Sequence, residues 1–142
     1  MIDAIARRLR EEAACFSSVA TTGRLAQVKP GGIPGHQLPA AFVHAIRDGG
    51  RENHLANGLS QAVDHDIGVL IVVTFKAYEI ERDLPEGLFP LFTACRTALA
   101  GWTPPGEGLN PIRFRSGEVV SIGDGEAWWL ETYRTFSYLR SV

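Results

Sequence analysis

Asp64-His65-Asp66-Ile67-Gly68-Val69-Leu70-Ile71-Val72-Val73 is the centre of a run from Leu59 to Tyr78 that alternates with the two-residue period of a β-strand. Val63, His65, Ile67, Val69, Ile71, Val73 and Phe75 fall on one face. The opposite face opens with Asp64 and Asp66, turns apolar at Leu70 and Val72, and ends on Thr74 and Lys76. A strand apolar on both faces only in its second half is covered on both sides there and solvated at its start. The run is longer than the usual ~3–10 residues. Its first half is therefore expected to project from the body as an arm or hairpin.

Upstream, Ile2, Ile5, Ala6, Leu9 and Ala13 recur at helical spacing, with Arg7, Arg8, Arg10, Glu11 and Glu12 opposite, so Ile2–Ala14 reads as an amphipathic helix. Phe16–Ala20 reads as a short strand, with a turn at Thr22-Gly23. Pro30, Gly31, Gly32, Pro34, Gly35 and Pro39 then crowd residues 29–39, which must be a loop. Ala40–Ile46 reads as a strand, and the polar residues 47–57 as a mobile connection. Downstream, Asp83 and Glu86 have capping-box spacing before a helix that buries Leu88, Leu91, Phe92, Cys95 and Leu99 and ends at Gly101. Pro90 leaves the start of that helix open between its first residues. Two final strands, Ile112–Ile122 and Ala127–Leu139, meet at Gly123-Asp124-Gly125, a hairpin signal. Trp128-Trp129-Leu130 breaks the alternation, so a bulge or burial on both faces is expected there.

This order gives an α+β class: a mostly antiparallel β-sheet with two α-helices packed on one face and a long projecting strand or hairpin arm. At 142 residues, one domain over 1–142 is expected. Leu70, Val72 and part of the tryptophan pair then lie on a sheet face with no helix left to cover it, which points to subunit contacts.

Charge and composition exclude several classes. A formal net charge of -2 with dispersed arginines argues against general nucleic-acid binding. The longest apolar run, Val69–Val73, is far short of the ~20 residues that cross a bilayer. Cys15 and Cys95 lack metal or redox spacing and read as small buried hydrophobes in a protein made in a reducing compartment. His36, His44, His54 and His65 do not pair at ligand spacing, so no metal site is expected. Gly31-Gly32-Ile33-Pro34-Gly35 lacks the Lys-Ser/Thr of a phosphate-binding loop. A Ser/Cys–His–acid site can be assembled only combinatorially, with no nucleophile on a recognisable turn, so no catalytic residue is assigned.

Taken together, the Met1-Ile2-Asp3-Ala4-Ile5 helix, the Pro39–Val43 strand, the polar-to-apolar strand 64–73, the helix Leu88–Trp102 and the closing Trp128–Phe136 strand resemble the tail terminator (tail completion) proteins of long-tailed bacteriophages. The resemblance spans nearly the whole chain and rests on element order and texture. It implies a hexameric ring of identical subunits seated on the tail tube protein, stopping its polymerisation and offering a surface to the head–tail connector protein. It further implies a virion protein of the head-proximal tail end, assembled in the host cytoplasm, with no cofactor, no active site, no sequence-specific nucleic-acid contact and no membrane. On this reading Arg51, Asp64 and Asp66 are expected to provide electrostatic matching, and Trp129 subunit packing, with loops 29–39 and 47–57 ordering on the tube or connector. A head–tail joining or tail tube protein is the nearest alternative. A small α+β enzyme or ligand-binding domain, recognised by a deep pocket, is the alternative of a different class.

Overall fold

A computed structural model describes residues 1–23, 28–29, 31–51, 60–74, 87–106, 108–123 and 125–140. Its elements are α1 (Ile2–Glu12), β1 (Ser18–Thr21), a 3-10 turn (Gly35–Gln37), β2 (Ala40–Gly50), β3 (Ser60–Thr74), α2 (Leu88–Leu99), β4 (Arg113–Gly123) and β5 (Glu126–Arg140). The five strands form one sheet in the order β1-β2-β3-β5-β4. β1 runs parallel to β2, and every other pairing is antiparallel. The expected α+β class is therefore what forms. Phe75–Tyr78, the Asp83/Glu86 cap, Pro85, His54, residues 52–57 and Asp124 lie outside the described residues.

Both helices pack on the face that carries the odd-numbered residues of β3. Ile5 and Leu9 of α1 and Leu91, Phe92, Cys95 and Leu99 of α2 close over Val43, Ile67, Val69, Ile71 and Tyr133. Each such buried aliphatic side chain contributes about 2 kcal/mol of transfer free energy. Pro90 is the third residue of α2, where its missing N–H would have had no intrahelical partner, so the helix starts at Leu88 without a kink. Gly101 ends it at φ +84, the left-handed conformation that favours glycine.

Four expectations need correction. The sheet face opposite the helices is not left open. Leu70, Val72 and Trp128 are buried there, with Val28, Ile33 and Leu38 of the Gly/Pro-rich loop packed over them beside Phe42 and Leu130. The loop is pinned by the Gly31 amide, which donates to the Glu126 carboxylate at 2.9 Å. The loop thus folds back on its own sheet and supplies the cover that a neighbouring copy was expected to give. Secondly, Arg47–Gly50 is strand, paired with Val63–Asp66. Its polar residues belong to a ladder that continues past the helices. Thirdly, the projection is not a lone strand or hairpin: β5 pairs with β3 from Ser60↔Arg140 to Thr74↔Glu126, so three strands extend together. Fourthly, Cys15 is exposed, while Cys95 is buried as expected, and both are free thiols.

Of the two alternatives expected at the tryptophan pair, burial on both faces is what forms, and β5 itself has no bulge against β3 there. Trp128 joins the loop-covered cluster and Trp129 packs toward the helices. Opposite them, β4 slips register between Val119 and Ser121. No described helix is long and apolar enough to cross a membrane.

Candidate functional site: a charged row across four strands

Beyond the loop-covered cluster, the same sheet face turns charged. The register aligns Arg47 (β2), Asp66 (β3), Arg134 (β5) and Arg113 (β4) in one row. Two bulges build it. β2 pairs Ala45 with Ile67 and then Arg47 with Asp66, so Ile46 is the extra residue. Without that insertion Ile46 would face Asp66. In β4 the slip between Phe114 and Ser116 makes Arg115 the extra residue. Bulges re-aim side chains in this way.

Arg134 donates to both carboxylate oxygens of Asp66, Nε at 2.7 Å and a terminal nitrogen at 3.1 Å. Arg51 grips Asp64 Oδ1 through two nitrogens at 3.0 and 2.7 Å, with its guanidinium 4.6 Å from the centre of the Phe136 ring. Longer ion pairs tie Arg134 to Asp64 and Arg115 to Asp66, each at 3.7 Å. Hydrogen bonds from Arg51 and Arg134 hold the Asp64 and Asp66 carboxyls below the ordinary value near 3.8, against the opposing effect of desolvation. Both aspartates are thus ionised at neutral pH, and they act as anchors that fix the arginine heads. Of the residues expected as an interface, Arg51, Asp64 and Asp66 come together here.

Trp129 does not join them. It lies on the helix face, stacked on Phe92 with centroids 5.1 Å apart, and its Nε1 donates to Glu131 at 2.9 Å. Glu131 itself is fully buried and takes two bonds from Arg96, at 2.8 and 3.0 Å. Arg96 lies between the rings of Phe92 and Phe114, at 4.6 and 4.2 Å from their centroids. Sequence reasoning missed this pair. The signal was present: Glu131 shares the parity of Trp129 and Tyr133, and a carboxylate inside an apolar stripe requires a cationic partner.

On the helix face of the projecting strands, Ser137 Oγ lies 2.7 Å from His65 Nε2, and His65 Nδ1 lies 2.8 Å from Asp48 Oδ1. This has the connectivity of a Ser–His–Asp relay. Ser137, however, stands within an extended strand and not on a turn that exposes its hydroxyl beside free amides. The cavities under the 28–38 loop, beside α1 and beside Thr74 are lined by other residues. The row acts as a clasp across β2, β3 and β5. His44 is buried on the other face, and its Nδ1 has no well-formed hydrogen bond among the described residues. Desolvation lowers its pKa, with the Phe42 backbone pulling weakly the other way, so the ring is neutral. Its ring lies over Gly68, where an added Cβ would come within 2.5 Å. Among the described residues no group of three or more His, Cys, Asp and Glu side chains could hold a metal ion.

The molecule is thus of the kind in which an organised surface, with arginine heads fixed in place, is the prominent feature. A family model described as phage tail terminator protein matches residues 2–141, and the chain belongs to that family. A solved chain from the virion of a native gene transfer agent particle is similar in fold, with TM-score 0.61 and 14% identity over 98% of this chain and 95% of that one. No curated protein matches the chain.

Proposed function

We propose that this protein terminates a tail tube: copies close into a ring, six-membered on the family likeness, on the last ring of tube subunits. The ring stops polymerisation and presents the docking surface for the head connector. The observation that carries this reading is the family match across residues 2–141. The chain acts as one folded unit at the head-proximal end of the virion tail, having assembled in the host cytoplasm. Its work is contact, without catalysis, cofactor or sequence-specific nucleic-acid recognition. Arg51, Asp64 and Asp66 belong to a contact surface, and Trp129 supports the sheet beneath the next subunit.

Electron microscopy of particles made without the protein tests the reading. Abnormally long tails with no heads attached are expected. Tails of normal length that merely fail to join heads would favour a head–tail joining protein instead. One observation favours a reading of another class, a small hydrolase, namely the Asp48–His65–Ser137 row. Normal tail termination by a Ser137→Ala variant is the outcome expected of a clasp.

A further inference from the structure

The chain's net charge of -2 conceals a strongly uneven distribution. On the charged row, five guanidinium groups (Arg47, Arg51, Arg113, Arg115 and Arg134) surround two carboxylates, Asp64 and Asp66, leaving an excess of three positive charges within the row. Arg47, Arg113 and Arg115 are exposed. Among the described residues, Arg47 and Arg113 have no carboxylate within ion-pair distance. Arg113 also lies directly across from Arg134, a like-charge pairing that isolated sheets disfavour. A fold that keeps such a pairing, with two bulges positioning its members, has a surface arranged for an anionic partner. The rim is not purely polar: Tyr138, on the face of the row, is 53% exposed, and Ile46 is exposed at the bulge. Arginine with tyrosine and aliphatic neighbours is the composition of a protein interface.

The complementary charge is in the chain itself. Between β3 and α2 the sequence holds Glu79, Glu81, Asp83 and Glu86 against Lys76 and Arg82, an excess of two negative charges. This segment follows Thr74, which stands about 26 Å along β3 from Asp66 at the usual strand rise. It returns at Gly87, which shares a cavity wall with Thr74. The arginine row and the anchors of the acidic segment therefore lie toward opposite ends of β3. A head-to-tail arrangement, the heterologous contact from which closed rings are built, brings the two together.

We infer that the arginine row docks the acidic segment 79–86 of a second copy, so that each subunit contact in the ring is a charge-matched one. The inference rests on the ring reading above and adds the elements that meet. Asp64 and Asp66 are positioning residues: by tethering Arg134 and Arg51 they reduce the side-chain entropy that docking removes.

Sedimentation velocity on the full chain tests this, comparing the wild type with Arg47→Glu/Arg113→Glu, with Glu81→Lys/Asp83→Lys and with all four changes combined. Thermal unfolding of each variant checks the fold. Because Arg113 is exposed and without an ion pair, Arg113→Gln serves as a milder second variant. Each double variant is expected to weaken self-association about tenfold or more, as close charge pairs across an interface do. The quadruple variant is expected to recover most of that loss. Wild-type association is also expected to weaken between about 0.05 and about 0.5 M salt, as contacts screened over a Debye length do. Rings that form equally well in every variant would overturn the inference and leave tube capping intact. A wild type that stays monomeric both free and on tube ends would overturn both. Duplex DNA binding that the Arg47→Glu/Arg113→Glu variant loses, with self-association unchanged, would show instead that the row serves phosphates.

Discussion

A fully buried carboxylate in an apolar sheet face is unfavourable unless donors meet its oxygens. Glu131 meets that condition: Arg96 takes both oxygens, and Trp129 and Tyr133 add bonds from the same face. Gly117 stands directly across from it in β4, and a Cβ there would lie 2.6 Å from the Trp129 ring, so the pocket admits only glycine without rearrangement. Glu131→Ala leaves a stacked, partly buried guanidinium without its partner, and about 3 kcal/mol of stability should be lost, read as a lower urea midpoint. An unchanged midpoint would mean the pair contributes nothing. Asp64 and Asp66 make a pH prediction. Their folded pKa values lie below the unfolded value near 3.8, so their stabilisation is complete above about pH 4 and is lost as pH falls through the folded values. Wild type should therefore lose stability below about pH 4 more steeply than an Asp64→Asn/Asp66→Asn variant, measured by thermal unfolding across pH. Parallel curves would contradict the assignment.

The element that changes the picture most is the Gly/Pro-rich loop. Val28, Ile33 and Leu38 stand five residues apart, a spacing that fits neither the helical nor the strand period, so no periodicity reveals that they share a surface. Only the fold-back, with Gly31 on Glu126, brings them over Leu70 and Val72. Ile33→Ala and Leu38→Ala should each lower stability by about 1 kcal/mol, since both are partly buried, and both should raise binding of an apolar dye. Indifference to both changes would mean that the loop lies off the sheet in solution. The legible parts were those with a period: the double-sided half of β3, the amphipathic α1, the hairpin of β4 and β5. Arg47–Gly50 read as a connection because its charges and glycines look like loop chemistry. The bulge at Ile46 puts Arg47 on one face and Asp48 on the other, each opposite a partner on β3, and no local pattern announces a single inserted residue. The site was half legible for the same reason. Asp64 and Asp66 stood out as the polar start of an apolar strand, while Arg113, Arg115 and Arg134 became their neighbours only through β-pairing across some fifty to seventy residues of sequence.

Over the whole molecule, an expectation of a ring drawn from surplus apolar surface fails in its premise, because the chain's own loop shelters that face. What remains for other copies is different: a charged face, exposed Tyr138 and Leu139, and the long outer strand β4, of which Val119 and Val120 are exposed. Its bulges blunt that edge against indefinite strand addition. A subunit that docked its neighbour through unlike surfaces, as proposed above, would suit a closed ring that adds once to a tube and then stops. The direct measurement is the length distribution of tubes polymerised from purified tube subunits with this protein added. The account predicts short tubes, each bearing a single extra ring at one end, whose mean length falls as the protein concentration rises. Tubes that keep their length, or that incorporate the protein along their walls, would contradict it.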